Sequence, residues 1–175
     1  MAWYSGAQKH ALTRHFKQGM MVHPVRGLVL HITTGKPNLA GQWGDFNSPN
    51  QTGRLRSAHF LVDKDGTMWQ LIDTDDVAFA VDGVYGGEGV DNHWISVENI
   101  ADTGEALTDE QIDSCAEIFG WLHRTDNVPL SLANKKGEFG LGYHRIWSGM
   151  AHPCPGDLVI AQRNAILEVC SAAYS

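Results

Sequence analysis

A chain of 175 residues with 43% apolar side chains, 19 Gly and 6 Pro has the length and composition of one folded domain with a real core, which excludes a disordered or low-complexity chain. A net charge of -7 argues against a nonspecific grip on nucleic acid or an anionic membrane, because that grip works by neutralising phosphates with Lys and Arg. Three cysteines, Cys115, Cys154 and Cys170, are an odd count at spacings that suggest no disulfide framework, so reduced thiols are expected, with Cys115 and Cys170 as small core residues.

In chain order, Leu12 and Phe16 stand at helical spacing and predict a short amphipathic helix over 7–18, an extension ahead of the main domain. Arg26 to Ile32 is a continuous apolar run that predicts a buried strand, with His31 near its end. Residues 35–56 are rich in Gly, Pro, Asn, Ser and Gln and read as a long loop, a common place for function. Segments 58–62 and 67–72 flank Asp65-Gly66 and predict a hairpin. After a Gly-rich stretch, 84–92, Trp94 to Ile100 predicts a strand with Ile95 and Val97 on one face and Ser96 and Glu98 on the other. Thr108 and Gln111 form a capping box for a helix whose buried stripe is Ile112, Cys115, Ile118, Phe119 and Leu122, ending before Pro129. A last helix follows Asp157, with Leu158, Ala161, Ala165, Ile166 and Val169 as its buried stripe. Strands mixed with helices make this an α/β or α+β sheet chain.

The residues that carry chemistry are few. Tyr143-His144-Arg145 is followed, ten positions past His144, by Cys154 in His152-Pro153-Cys154-Pro155-Gly156, and His31 lies far upstream. Each proline disfavours α geometry in the residue before it, so His152 and Cys154 are extended and look to the same side. Two imidazoles and one thiolate can hold zinc while leaving its fourth position open. A lone histidine at the end of a buried strand is more often a hydrogen-bonded core residue than a ligand, and only the company of His144 and Cys154 changes that for His31. His10, His15, His23 and His123 read as surface residues without chemistry.

Taken in order, Gly27 to Thr34, Ser57-Ala58-His59-Phe60-Leu61-Val62-Asp63-Lys64-Asp65-Gly66-Thr67, Ile95-Ser96-Val97-Glu98-Asn99, Gly142-Tyr143-His144-Arg145 and Cys154-Pro155-Gly156 resemble the zinc-dependent N-acetylmuramoyl-L-alanine amidases, relatives of phage lysozyme-type amidases and peptidoglycan recognition proteins. The resemblance spans roughly residues 27 to 170 and implies one α/β amidase domain over 1–175, with a central mixed β-sheet flanked by α-helices and a zinc cleft on one side of it. It places the zinc ligands on His31, His144 and Cys154, the acidic residue that handles the attacking water on Glu98, and a residue assisting the substrate carbonyl on His152. Phage-type members carry a catalytic tyrosine where this chain has Ala58, so the glutamate-based arrangement is the one to expect.

What the resemblance implies is hydrolysis of the amide between the muramoyl lactyl group and L-alanine, with peptidoglycan or a muropeptide as substrate and Zn2+ as cofactor. Trp43 is either a sugar-stacking residue or a loop anchor, and His59 is either a support for the site or a packed residue. The loop 35–56 and the stretch 84–92 are candidate cleft walls. Alternatives are a non-catalytic peptidoglycan-binding module of the same fold and an interaction protein built around structural zinc. No signal peptide and no stretch of roughly 20 apolar residues is seen, so the expectation is a chain made in the cytoplasm without membrane insertion; a monomer is expected as well. It would reach the wall as a released phage lysin or as an injected toxin paired with an immunity protein, or stay in the cytosol as a recycling enzyme.

Overall fold

The computed structural model describes residues 2–51, 55–81 and 89–174. Its sheet is organised around β3, Gly27–Ile32, all six of whose residues are buried. A near-continuous apolar run suits a strand covered on both faces. β3 runs parallel to β7, Trp94–Asn99, on one side and parallel to β8, Gly140–Tyr143, on the other. Beyond β7 come β4, Phe60–Val62, in parallel, then β5, Met68–Gln70, antiparallel to β4, and finally β1, Gln8–Lys9, parallel to β5. The mixed six-stranded sheet thus has the order β1-β5-β4-β7-β3-β8. A small separate pair joins β2, Phe16–Lys17, to β6, Val77–Ala78.

The pleat sorts the side chains by parity. Leu28, Leu30 and Ile32, with Phe60, Val62, Ile95 and Val97, enter one core with residues of α2, Asp109–Asp126, and α4, Asp157–Tyr174. The alternate residues, His31, His59, Ser96 and Glu98 among them, face the opposite side, where α1, Leu39–Phe46, closes a second core around Leu61, Leu71 and Phe46. α2 starts on the expected capping box, Thr108 with Gln111, buries the expected stripe and ends in a left-handed Asn127. The hairpin turns at Gly66, whose φ of 81° favours glycine. No helix among the described residues is long and apolar enough to cross a membrane.

Three expectations need correction. The helix over 7–18 is absent: Gln8–Lys9 and Phe16–Lys17 are short strands, and His15 at φ 63° is left-handed, which a helix does not accept. Leu12 is buried as its spacing suggested, against Leu71 and Ala78, but it gets there on an extended chain. The loop 35–56 contains α1, capped by the Asn38 side chain accepting from the Gly41 N–H at 2.9 Å; two glycines in an eight-residue helix hide it from a propensity reading. In α4 the buried face is Val159, Arg163, Ile166 and Cys170, while Leu158 and Val169 are 49% and 40% exposed. The stripe is rotated because Arg163 is buried, its guanidinium donating to the carbonyls of Ala133 and Leu141 and to Asn134 Oδ1, and lying 4.4 Å from the Tyr143 ring. Of the proposed wall 84–92, residues 84–88 lie outside the described residues, and Val90–His93 form a 3-10 turn.

Candidate metal centre and active-site cleft

The cleft opens at the carboxyl ends of β3, β7 and β8, where open α/β sheets accept ligands. β3 organises it. His31 is its penultimate residue and pairs in register with Glu98 of β7, so imidazole and carboxyl share one face of the sheet. His144 follows β8 directly and opens the turn into α3, Arg145–Ser148, with its N–H on the Leu30 carbonyl at 3.3 Å. Cys154, from the loop between α3 and α4, accepts the Ile32 N–H on its sulfur at 3.3 Å. One strand therefore carries the first of the three residues and holds the other two by the backbone on either side of it.

His31 Nδ1 and Cys154 Sγ are 3.6 Å apart, the His31 and His144 ring centroids 4.6 Å apart, and the three potential donor atoms lie within 4.8 Å of one another. Nitrogen and sulfur held tetrahedrally at about 2.05 and 2.3 Å would stand about 3.6 Å apart, so donor types and spacing both fit zinc. All three residues are buried, and among the described residues no other His, Cys, Asp or Glu joins the cluster. Three protein donors are the pattern of a catalytic site, since structural zinc uses four. Burial pushes the Cys154 thiol pKa well up, and the nearby Glu98 charge pushes it further; a bound cation reverses both influences.

Glu98 is half-buried, and its Oε2 is enclosed with no hydrogen-bond partner among the described residues. Burial raises its pKa from 4.5 to about 8, against the opposing pull of Arg56. His152 sits 4.2 Å ring to ring from His144, and its Nδ1 accepts the Cys154 N–H at 3.2 Å, which leaves Nε2 to carry the proton of the neutral ring. Both Glu98 and His152 line a cavity of about 440 Å³ together with His31, His144 and Cys154. All five residues singled out in the sequence are thus brought to one place.

The remaining walls are not singled out by the sequence. α1 contributes Gln42, 4% exposed, with its Oε1 lacking a partner, and the end of β3 leads to Thr33, whose Oγ1 is likewise buried without one among the described residues. Lys36 and Arg56 also line the cavity, both paired with Asp45, at 3.4 and 3.5 Å. A polar residue at the spacing Leu39-Gln42-Phe46 is the signal that would have exposed Gln42, had α1 been recognised.

Two open readings close here. Trp43 is an anchor: its Nε1 donates to the His10 carbonyl at 2.9 Å and its ring packs against the core beneath α1, away from the cleft lining. His59 is fully buried, with Nδ1 accepting the Ser96 N–H at 3.1 Å and Nε2 donating to the Asp76 carbonyl at 3.0 Å. It clamps β4 to β7 and to the turn before β6, and burial lowers its pKa to about 4.

The family model for N-acetylmuramoyl-L-alanine amidase matches residues 21–157. No curated protein sequence matches the chain. Among solved structures, a selenomethionine derivative of AmpD is 20% identical over 94% of this chain and 96% of its own, with a TM-score of 0.71. A mutant endolysin from Bacillus subtilis is 15% identical over 93% and 96%, TM-score 0.67. Drosophila peptidoglycan recognition protein SD is 16% identical over 89% and 87%, TM-score 0.62. At these identities the structures speak for the fold, and the family model, which covers most of the chain, speaks for membership: this chain belongs to the N-acetylmuramoyl-L-alanine amidase family.

Proposed function

We propose that this protein is a zinc-dependent hydrolase that cleaves the amide between the muramoyl lactyl group and L-alanine in peptidoglycan or its fragments. The observation that carries the reading is the pairing of His31 with Glu98 across β3 and β7. It puts a carboxyl group, one oxygen of which has no partner among the described residues, in the same cavity as three buried donors that fit a metal.

His31, His144 and Cys154 would hold the zinc, which when bound would supply a Lewis acid for the amide carbonyl and would lower the pKa of water to about 7. Glu98 takes a proton from the attacking water and returns it to the departing amine nitrogen of L-alanine, since an amine leaves only when protonated. His152, with its proton directed to Nε2, donates to the carbonyl oxygen as negative charge gathers there. Gln42 and Thr33 offer hydrogen-bonding atoms to the polar groups of the substrate.

Purified peptidoglycan digested by the zinc-loaded protein and analysed by mass spectrometry tests this reading. Wild type should release stem peptides with free L-alanine amino termini, and Glu98→Ala and Cys154→Ser should release none above background. Cleavage at a different bond, or undiminished cleavage by Glu98→Ala, contradicts it.

A further inference from the structure

The loop that carries His152 and Cys154 lies outside any sheet, and Pro153 and Pro155 have no N–H with which to tie it down. One side chain does much of that work. The Arg145 guanidinium donates through Nε to the His152 carbonyl at 2.5 Å, through one Nη to the Pro153 carbonyl at 3.2 Å, and through the other Nη to the Asp157 carboxylate. The side chain of Arg145 is only 10% exposed, whereas that of Asp157 is 86% exposed.

Arg145 is the neighbour of His144 in the chain, and its contacts bracket Cys154 on both sides. A planar fork of five donors meets three acceptors at fixed angles; an ammonium group, a point charge on a flexible stem, does not. We propose that Arg145 is the positioning residue of the metal centre. It fixes the separation of His144 from Cys154 and holds the His152 backbone so that the ring, steadied by the Cys154 N–H, faces the cleft. The exposed pair with Asp157 adds little binding energy and serves to aim the fork. This inference rests on the zinc reading above.

The test titrates zinc against a competing chelator on the full chain and records cobalt(II) absorption for wild type, Arg145→Lys, Arg145→Met and Asp157→Asn. Wild type should bind one equivalent. Arg145→Lys should bind about 10-fold to 100-fold more weakly, as when an outer hydrogen bond to a metal site is lost, with altered cobalt–thiolate and d–d bands. Asp157→Asn should stay within about threefold of wild type. Should Arg145→Met fail to fold by circular dichroism, Arg145→Lys decides, because it keeps the charge and the Asp157 pair. Wild-type affinity with an unchanged cobalt spectrum in Arg145→Lys overturns the positioning role and leaves the zinc reading standing. A wild-type protein that takes up no metal overturns both.

Discussion

Glu98 has one oxygen enclosed without a partner among the described residues, and a carboxylate in that state costs free energy that a chain selected for stability alone would shed. The burial that lifts its pKa to about 8 also sets the sign of a stability effect. With the folded value above the ordinary 4.5, stability is fully present below about 4.5 and is lost as pH rises through about 8, by up to about 1.4 kcal/mol per pH unit. Glu98→Gln removes that titration. Urea denaturation of the metal-free proteins should show the variant gaining on wild type from pH 5 to 8, while its amidase rate falls about 10²-fold to 10⁴-fold at unchanged zinc content. A constant stability difference across that range would show that the carboxyl group is solvated after all. His31, His144 and Cys154 stand out as possible ligands by residue type and by the prolines around Cys154, whereas the roles of Glu98 and His152 come from the family resemblance. Gln42 and Thr33 do not stand out, since glutamine and threonine are ordinary surface residues until a structure shows them enclosed.

At the scale of elements, what was legible is what repeats or caps. β3, the β4–β5 hairpin, β7 and α2 follow from an apolar run, an Asp-Gly turn, strand alternation and a capping box. Two of the failures share a cause, which is that tertiary partners overrode local pattern, while α1 is hidden by its two glycines. The N-terminal segment is extended because the edge of β5 offers it hydrogen bonds, with the His10 N–H on the Gln70 carbonyl and the Leu12 N–H on the Leu71 carbonyl. The α4 stripe is displaced because Arg163 finds carbonyl acceptors inside the protein. α1 illustrates function at this scale: its inner face reads Leu39, Gln42, Phe46, two apolar contacts and one amide directed to the cleft. Replacing a buried amide whose oxygen has no partner among the described residues with an apolar group of similar shape is close to neutral or stabilising. Gln42→Leu should therefore hold or raise the melting temperature while raising KM for a muropeptide about tenfold, the size of one lost hydrogen bond. A destabilised variant with unchanged KM would place Gln42 in the core and remove it from the cleft.

The whole molecule is a sheet shared between two jobs: one face packs α2 and α4, and the other builds the cleft. His59 joins the parts on the cleft face, and it joins them as a neutral ring. Its folded pKa of about 4 lies below the ordinary 6.5, so the unfolded chain takes up the proton first as the solution is acidified. Stability from this residue is complete above about pH 6.5 and is lost between 6.5 and 4, on the order of 3 kcal/mol in all. In chemical denaturation, His59→Gln should remove that acid-side slope whatever its effect at pH 7. The claim on which the functional account depends is that His31, His144 and Cys154 grip one metal and leave it a coordination position for water. X-ray absorption at the zinc edge of the loaded protein tests it most directly. The account predicts one sulfur at about 2.3 Å, two imidazole nitrogens at about 2.0 Å and one light atom from solvent. A fourth protein donor, a second sulfur, or a protein that retains no zinc would contradict it.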